Sequence, residues 1–361
     1  MKNDREICIN QPLLQHDNAR LHSIKMTKPA IHELSWEIIV IVTSFIFNHY
    51  IAFSVIIRII ISTFIYDVQS SVDHHHCKHH LYADDLQIYI LTTPDSLNDA
   101  IQNLNEDLES ISAWARKFGL TRNARKSQAI LVGHQRLLRN ITPAFPVKLN
   151  DTIIPFASCV KNLGVYFDTH LNWNNQVTHI TKKVLSILHS LNSIRKFLPV
   201  SLKKILVETL VMLHFDYFDF LLTDLNVNQF QKLQRVHNSC VRFVCDIRRT
   251  DHITPSFQTL NWLRLNERRN FHFLVLLFQV LHTSTPTYLA SRFSYLSSYH
   301  NLFTLTQNSR ILAIPTHKIS SYSSSYTISL SRLWYTLPSD IRDCRNLVAF
   351  KSKLIKHFLT S

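Results

Sequence analysis

The chain has 361 residues, of which 46% are apolar, and its 39 Lys and Arg residues outnumber 25 Asp and Glu residues to give a formal net charge of +14. This apolar content excludes a disordered tail, and the length allows two or three domains that each have a core. The positive charge favours a polyanionic partner, either nucleic acid or an anionic membrane surface. A basic protein without such a partner is the alternative.

Cysteine and glycine usage adds two constraints. The six cysteines are widely scattered with no CxxC pair, which is typical of free thiols in a reducing compartment. The three glycines are Gly119, Gly133 and Gly164, so the first 118 residues contain none. Because folded segments of that length normally use glycine in tight turns, the amino-terminal part is predicted to differ from the rest.

Residues 1–35 show no periodicity, and residues 36–66 form a long apolar segment. The segment is long enough to span a bilayer, although Asn48, His49 and Arg58 interrupt it. It lacks the layout of a cleaved signal peptide. A membrane anchor, a buried strand or helix, and translated sequence never selected to fold all stay open. We expect residues 1–75 to be a separate leader that does not pack as a regular layer of the following domain.

A histidine-rich run, DHHHCKHH, occupies residues 73–80. Imidazole and thiolate groups packed this closely could hold zinc or copper. Consecutive residues of an extended segment point to alternate sides, however, so few of them could bind one ion together. Adventitious metal binding is therefore favoured over a specific site.

Two adjacent carboxylates, Asp84 and Asp85, follow in the stretch LYADDLQIYI. After the pair, apolar and polar residues alternate as in a half-buried strand, which places the pair at the turn of a hairpin. Paired carboxylates repel each other unless a cation lies between them. A metal ion or a basic partner is therefore expected at this turn.

The next elements predict an α+β domain. An apolar stripe from Leu97 to Ile111 indicates a helix that ends near Gly119, and residues 127–133 indicate a strand. Residues 146–156 predict a hairpin that turns at Asn150-Asp151, and residues 162–168 another strand. The order is that of an antiparallel sheet with helices on one face.

Beyond residue 172 the periodicity becomes helical. Helices are predicted near 174–197, 201–222, 226–245, 266–283 and 346–359. Basic pairs recur on them, and their repetition predicts a surface that follows a phosphate backbone, although each pair alone is more often a solvated face. The residues that we expect to bind nucleic acid are Lys182, Lys183, Arg195, Lys196, Lys203 and Lys204.

The motif LYADDLQIYI resembles the catalytic Tyr-x-Asp-Asp hairpin of reverse transcriptases, in particular those of jockey-like non-long-terminal-repeat retrotransposons. The blocks downstream follow the same order. LNEDLESISAWARKFGLTRNARKSQAILVG resembles the family's helix, basic turn and strand, and VKNLGVYFDTHLNW resembles the strand pair at its palm–thumb junction. LPVSLKKILVETLVMLHFDYFDFLL and FQKLQRVHNSCVRFV resemble its thumb. HITPSFQTLNWLRLNERRNFHFLVLLFQVLH and SLSRLWYTLPSDIRDCRNLVAFKSKL resemble the segment that follows the polymerase.

The resemblance implies roles for four residues. Asp84 and Asp85 would be metal-binding catalytic carboxylates for Mg²⁺, or for Mn²⁺, and Tyr82 would lie beside the primer terminus. Lys126 would lie near the incoming nucleotide, or it is a solvent-facing turn lysine. The implied partners are an RNA template and a DNA primer, or an RNA–DNA hybrid, and the implied location is nuclear or cytoplasmic.

Two features of the family's pattern are missing. Such polymerases carry a further metal-binding aspartate upstream and a Pro-Gln-Gly turn, but the upstream aspartates here stand in no such frame and no glycine is present. No fingers region or endonuclease domain is recognisable. These upstream aspartates are Asp4, Asp17, Asp67 and Asp73.

The sequence therefore predicts the back half of a reverse transcriptase. We expect a leader at 1–75, a truncated palm at 76–170, a helical thumb at 171–250 and a mostly helical domain at 251–361. The expected function is that of an RNA-directed DNA polymerase fragment, inactive alone. A non-enzymatic nucleic-acid-binding remnant is the alternative, and a protein anchored in a membrane through 36–66 is a weaker one.

Overall fold

The computed structural model describes residues 38–45, 76–82, 85–117, 124–139, 141–222, 224–296, 310–315 and 325–360. They form two compact units, which divide between Gln176 and Val177. The fold is α+β, as the sequence predicts, because the first unit combines antiparallel strands with one long helix while helices dominate the second. The predicted boundary at residue 170 lies close to this division, and the one at residue 250 falls inside the second unit.

The first unit is built on a four-stranded sheet. Its strands are β1 (Ile38–Phe45), β2 (Lys78–Tyr82), β3 (Asp85–Thr92) and β4 (Gln128–Val132), in the spatial order β2-β3-β1-β4. All neighbouring pairs are antiparallel. Strands β3 and β4 therefore run in the same direction with β1 between them, and helix α1 (Leu97–Lys117) connects them in a split β-α-β arrangement.

The central position of β1 corrects one expectation. Residues 1–75 were expected to contribute no regular layer, yet Ile38–Phe45 pairs along its whole length with β3 and over five residues with β4. The reason is local chemistry, since the run IIVIVTSF is rich in the β-branched residues that central strands favour and needs no glycine turn. The remainder of 1–75, apart from these eight residues, lies outside the described residues.

Helix α1 covers one face of the sheet. The predicted stripe is confirmed, since each of its members is almost fully buried. The stripe packs with Leu86 and Ile88 of β3 and with Ala129 of β4 in a single core cluster. The residues of the stripe are Leu97, Ile101, Leu104, Leu108 and Ile111.

Two short hairpins complete the first unit. Strands β5 (Val147–Leu149) and β6 (Thr152–Ile154) turn at Asn150-Asp151, as predicted. Strands β7 (Cys159–Asn162) and β8 (Val165–Asp168) enclose the two-residue turn Leu163-Gly164, in which both φ angles are positive, at 45° and 83°. Such a turn is of type I′, so the predicted strand 162–168 is divided between β7 and β8. A short helix, α2 (Gln135–Leu138), follows β4.

The second unit consists of helices whose positions agree with four of the predicted ones to within a few residues. The predicted helix 201–222 is instead divided into a π-helical turn, Glu208–Met212, between two α-helices, and a further 3₁₀ turn, Asp219–Leu221. Phe218, with a φ angle of 57°, makes the bend before that last turn. The α-helices are α3 (Asn174–Ser193), α4 (Val200–Val207), α5 (Leu213–Asp216), α6 (Val227–Cys245), α7 (Thr254–Leu260), α8 (Leu265–Thr283), α9 (Thr287–Ala290), α10 (Tyr326–Thr336), α11 (Ser339–Arg342) and α12 (Leu347–Thr360).

Aromatic side chains hold the core of the second unit. Phe278 of α8 stacks on Phe350 of α12 with ring centroids 4.3 Å apart, and Trp334 of α10 also stacks on Phe350, with ring centroids 6.0 Å apart. All three side chains are almost fully buried. Within the described residues, no helix is long and apolar enough to cross a bilayer.

We predict that Leu104→Ala destabilises the protein by about 2–5 kcal/mol, because Leu104 is fully buried between α1 and the sheet and its truncation leaves a cavity. Urea denaturation of the full chain measures the change. Gln102→Ala, on the exposed side of the same helix, is the matched control and should shift stability by less than about 0.5 kcal/mol. Equal effects of the two substitutions would contradict the packing of α1 on the sheet.

Candidate functional site

The turn of the predicted catalytic hairpin lies at one end of the strands of the four-stranded sheet. Tyr82 ends β2 and pairs with Asp85, which begins β3. On the other side of β3, Asp85 pairs with Phe45, the last residue of β1. Asp84 lies outside the described residues, so Asp85 is the member of the aspartate pair whose position the structure defines.

Alternation along β3 determines the face on which Asp85 lies. Leu86 and Ile88 face α1 and are 1% exposed, so Asp85 and Gln87 belong to the opposite face. Asp85 is half-buried there, and Tyr82 is 38% exposed. The Gln87 Oε1 atom accepts a hydrogen bond from Asn162 Nδ2 at 3.0 Å. The face that carries Asp85 is therefore polar at this end of the strands.

Lys126 lies at the same end of the sheet's strands as Asp85. Thr43 of β1 pairs with both Gln87 of β3 and Gln128 of β4, and Lys126 comes two residues before Gln128. The ladder between β1 and β4 ends at Gln128, so Lys126 lies in the turn just before β4 and toward the end of β1 that pairs with Asp85. Lys126 is exposed in the turn before β4. The three described members of the predicted site therefore lie at the same end of the strands: Tyr82, Asp85 and Lys126.

The histidine-rich run enters β2 with its side chains on alternate sides, as the sequence predicts. Cys77 is 5% exposed, belongs to the α1 core, and donates its backbone N–H to Asp107 Oδ2 at 2.8 Å. Burial, aided by Asp107, raises the pKa of the Cys77 thiol well above its usual range, which opposes the thiolate form that binds metals. His80 instead stacks on Tyr89, with ring centroids 5.5 Å apart. His74 and His75 lie outside the described residues.

Within the described residues, one group of His, Cys, Asp or Glu side chains could hold a metal ion, and sequence reasoning missed it. Asp216 ends α5, Asp219 begins the 3₁₀ turn and His272 lies on α8, with ligand atoms within 4.8 Å of one another. The His272 Nδ1 donates to Asp219 Oδ2 at 2.5 Å. The two aspartates stand in the block HFDYFDF, but only the bend at Phe218 brings both against α8.

Arginine already occupies part of this cluster. Arg268, one turn before His272 on α8, donates from Nε and Nη2 to the two oxygens of Asp216 at 2.5 and 2.7 Å. A metal ion at Asp216 would have to displace this bidentate pair, which is among the stronger charged contacts in proteins. We therefore interpret the cluster as a charge network that fastens α8 to the segment before α6, rather than as a metal centre.

Burial and the nearby charges shift the pKa of His272 in opposite directions. Burial is the largest of them and lowers its pKa, but the charge of Asp219, the hydrogen bond to Asp219 and the charge of Asp216 together outweigh it, so the pKa is raised. The protonated imidazole is thus favoured in the folded state. In this protonated form, the contact of His272 with Asp219 is a charged one.

The residues predicted to bind nucleic acid fall into two groups. Lys182 and Lys183 on α3, and Lys196 in the 3₁₀ turn Arg195–Phe197, are exposed. Lys204 is half-buried, with its Nζ 3.9 Å from Glu208 Oε1. These four remain compatible with a surface that contacts phosphates.

Lys203 and Arg195 form the second group, because an acid engages both. The Lys203 side chain is buried, and its Nζ donates to Asp246 Oδ1 and Oδ2 at 2.8 and 2.7 Å. Arg195 Nε donates to Asp246 Oδ1 at 2.7 Å, and its Nη2 donates to the Arg242 carbonyl at 3.2 Å. The hydrogen bond from Lys203, and then that from Arg195, lower the pKa of Asp246 despite some desolvation. Lys203 is therefore an internal cation rather than an exposed phosphate contact, which corrects its predicted role.

Comparison with known proteins gives no independent assignment, since no protein-family model matches the chain and no curated protein sequence matches it.

We predict that the contribution of His272 to stability is largest in acid. Because its folded-state pKa is raised, the contribution is fully present below the unfolded value of about 6.5 and disappears as pH rises through the folded-state pKa. His272→Gln should cost about 1.5–3 kcal/mol at pH 6, typical of a hydrogen bond to a charged group, and less at pH 9. Urea denaturation at both pH values measures this. His189→Gln, at an exposed position on α3, is the control, and a cost for His272→Gln that grows with pH would contradict the prediction.

Proposed function

We propose that the chain is a retrotransposon-derived fragment of an RNA-directed DNA polymerase that does not extend a primer by itself. The proposal rests on the resemblance of the blocks from His80 onward and on one observation, the pairing of Phe45 with Asp85. That pairing puts β1 directly beside the strand that carries the predicted metal-binding carboxylate. An opposing carboxylate would have to come from β1 or from the residues that continue it.

The described part of β1 supplies no such group. Its sequence, IIVIVTSF, contains no Asp or Glu, and its last residue beside Asp85 is a phenylalanine. Two divalent ions need oxygen ligands from more than one side, because their charges and their octahedral shells must be satisfied. The described residues around Asp85 therefore fit such ions on one side only. Asp67 and Asp73 lie outside the described residues.

What the chain retains is a set of groups suited to holding a nucleic acid. Lys126 would neutralise phosphate charge at the same end of the strands as Asp85. Tyr82, 38% exposed, would offer a ring against a sugar or base. Magnesium, when bound, would supply charge neutralisation at the phosphates in the parent family, and these side chains would bind and orient the strand.

We predict that the full chain extends no primer on an RNA template with Mg²⁺ or Mn²⁺. A site loosened by about 1 Å can cost on the order of 10²-fold in rate, and removal of a ligand set costs more. A primer-extension assay run beside the Asp84→Ala, Asp85→Ala double variant measures this. Extension by the native chain that the double variant abolishes would overturn the proposed inactivity.

Phe45→Asp gives a matched gain-of-binding variant. It would put a carboxylate at the strand position paired with Asp85, so Mn²⁺ binding measured by paramagnetic broadening of the chain's NMR signals should strengthen. Ile39→Asp, placed near the far end of β1 opposite Leu91, is the charge-matched control. Equal Mn²⁺ binding by the two variants would argue against the register as the origin of the effect.

Non-enzymatic nucleic-acid binding is the second candidate function, and the exposed cations of α3 and the following turn favour it. We predict that the triple variant Lys182→Ala, Lys183→Ala, Lys196→Ala weakens binding to duplex and to RNA–DNA hybrid with little dependence on sequence. The slope of log K against log salt should flatten by about 0.9 for each phosphate that the variant no longer neutralises. Filter binding or fluorescence anisotropy at several salt concentrations measures the slope.

The control removes the same charge elsewhere. Arg345→Ala, Lys351→Ala, Lys356→Ala takes three cations from the carboxy-terminal segment of the second unit and should leave the slope nearly unchanged. Equal flattening by both triple variants would mean that net charge, and not the α3 surface, determines binding.

A further inference from the structure

A cavity of about 400 Å³ lies in the first unit, beside α2. Leu131 of β4 lines it and pairs with Val40 near the start of β1, whereas Asp85 pairs with Phe45 at the other end of that strand. The cavity therefore lies toward the opposite end of the strands from the turn of the hairpin. Its volume is in the range that binds small organic molecules.

Backbone hydrogen bonds hold the wall of the cavity in place. The Ala157 N–H donates to the Ala129 carbonyl at 2.8 Å, and the Thr169 N–H donates to the Ser158 carbonyl at 3.3 Å. The Gly133 N–H donates in turn to the Thr169 carbonyl at 3.0 Å. These bonds join β4 to the segments that follow β6 and β8 and fix the backbone beside the cavity.

The lining combines apolar side chains with polar ones, most of which are exposed. Its polar members are Gln135, Arg139, Ser158, Thr169 and His170, and none of the lining residues is an acid. In the part of the chain that the structure describes, the side chains of Arg139, Ser158 and Thr169 make no hydrogen bond or ion pair. Asp168 is the nearest acid in sequence, and its Oδ1 accepts the backbone N–H groups of His170 and Asn172.

The lining also has an apolar part. Leu131, Leu138, Ile141 and Phe156 supply it, and together they offer aliphatic and aromatic surface to a ligand. A ligand that satisfies both parts has an anionic head for Arg139 and a hydrophobic body for these apolar side chains.

We propose that this cavity binds a small amphipathic organic anion, either a carboxylate or a phosphate monoester attached to an apolar or aromatic body. The guanidinium of Arg139 binds the head in bidentate fashion, since that geometry suits both carboxylate and phosphate. The hydroxyls of Ser158 and Thr169 provide further donors. The site is independent of the proposed polymerase ancestry.

The test is calorimetric titration of the full chain with three probes of matched body: 1-naphthoate, 1-naphthyl phosphate and the neutral 1-naphthol. Both anions, or one of them, should bind at least tenfold more tightly than the neutral probe, and the stronger of the two identifies the head group. No binding of either anion at millimolar concentration, or equal binding of the neutral probe, would overturn the proposal.

Two variants locate the binding. Arg139→Gln should weaken the preferred anion at least tenfold, whereas Arg136→Gln, in α2 and outside the cavity lining, should leave it unchanged. Ala157→Leu, which fills part of the cavity, should weaken the anions and the neutral probe alike. An Arg139→Gln variant that keeps native circular dichroism and native affinity would contradict the site.

Discussion

The structure of the first unit depends on the pairing of β1 with a strand on each side. Strands β3 and β4 run in the same direction and lie two strand spacings apart, so neither can pair with the other. The eight residues of β1 satisfy the backbone groups of both. Because α1 packs across this sheet, its buried stripe also depends on β1 being in place. The same pairing brings Tyr82, Asp85 and Lys126 to one end of the strands.

Positive charge in the second unit serves two purposes that net charge alone does not separate. Lys203, Arg195 and Arg268 are fastened to Asp246 or Asp216, where they hold segments distant in sequence together. Lys182, Lys183 and Lys196 are exposed and remain available to a polyanion. A count of basic residues in the sequence includes both groups, and it therefore overestimates the positive charge that a partner would contact.

Much of the fold followed from sequence because the deciding signals are local. The stripe of α1, the turn at Asn150-Asp151 and the long helices of the second unit are each determined by residues close in the chain. The place of β1 was missed because a continuous apolar run does not distinguish a central strand from a membrane segment, and its partners lie some 45 and 90 residues away. The Asp216–Asp219–His272 cluster was missed for a related reason, since the break in the predicted helix 201–222 comes from tertiary packing. Lys203 was misassigned because its acid, Asp246, is distant in sequence.

Because the chain has few glycines, residues with larger side chains adopt the left-handed backbone conformation, which costs them conformational free energy. At Phe218 the cost, about 1–2 kcal/mol, is offset because the ring is 3% exposed and packs in the core. At Leu163, in the type I′ turn between β7 and β8, the side chain is only half-buried, so less burial compensates for the strain. Asparagine suits this position in such turns far better than leucine. A substitution in this surface turn could therefore increase the stability of the chain. In laboratory evolution, that added stability could offset destabilising substitutions at the end of the strands that carries Asp85.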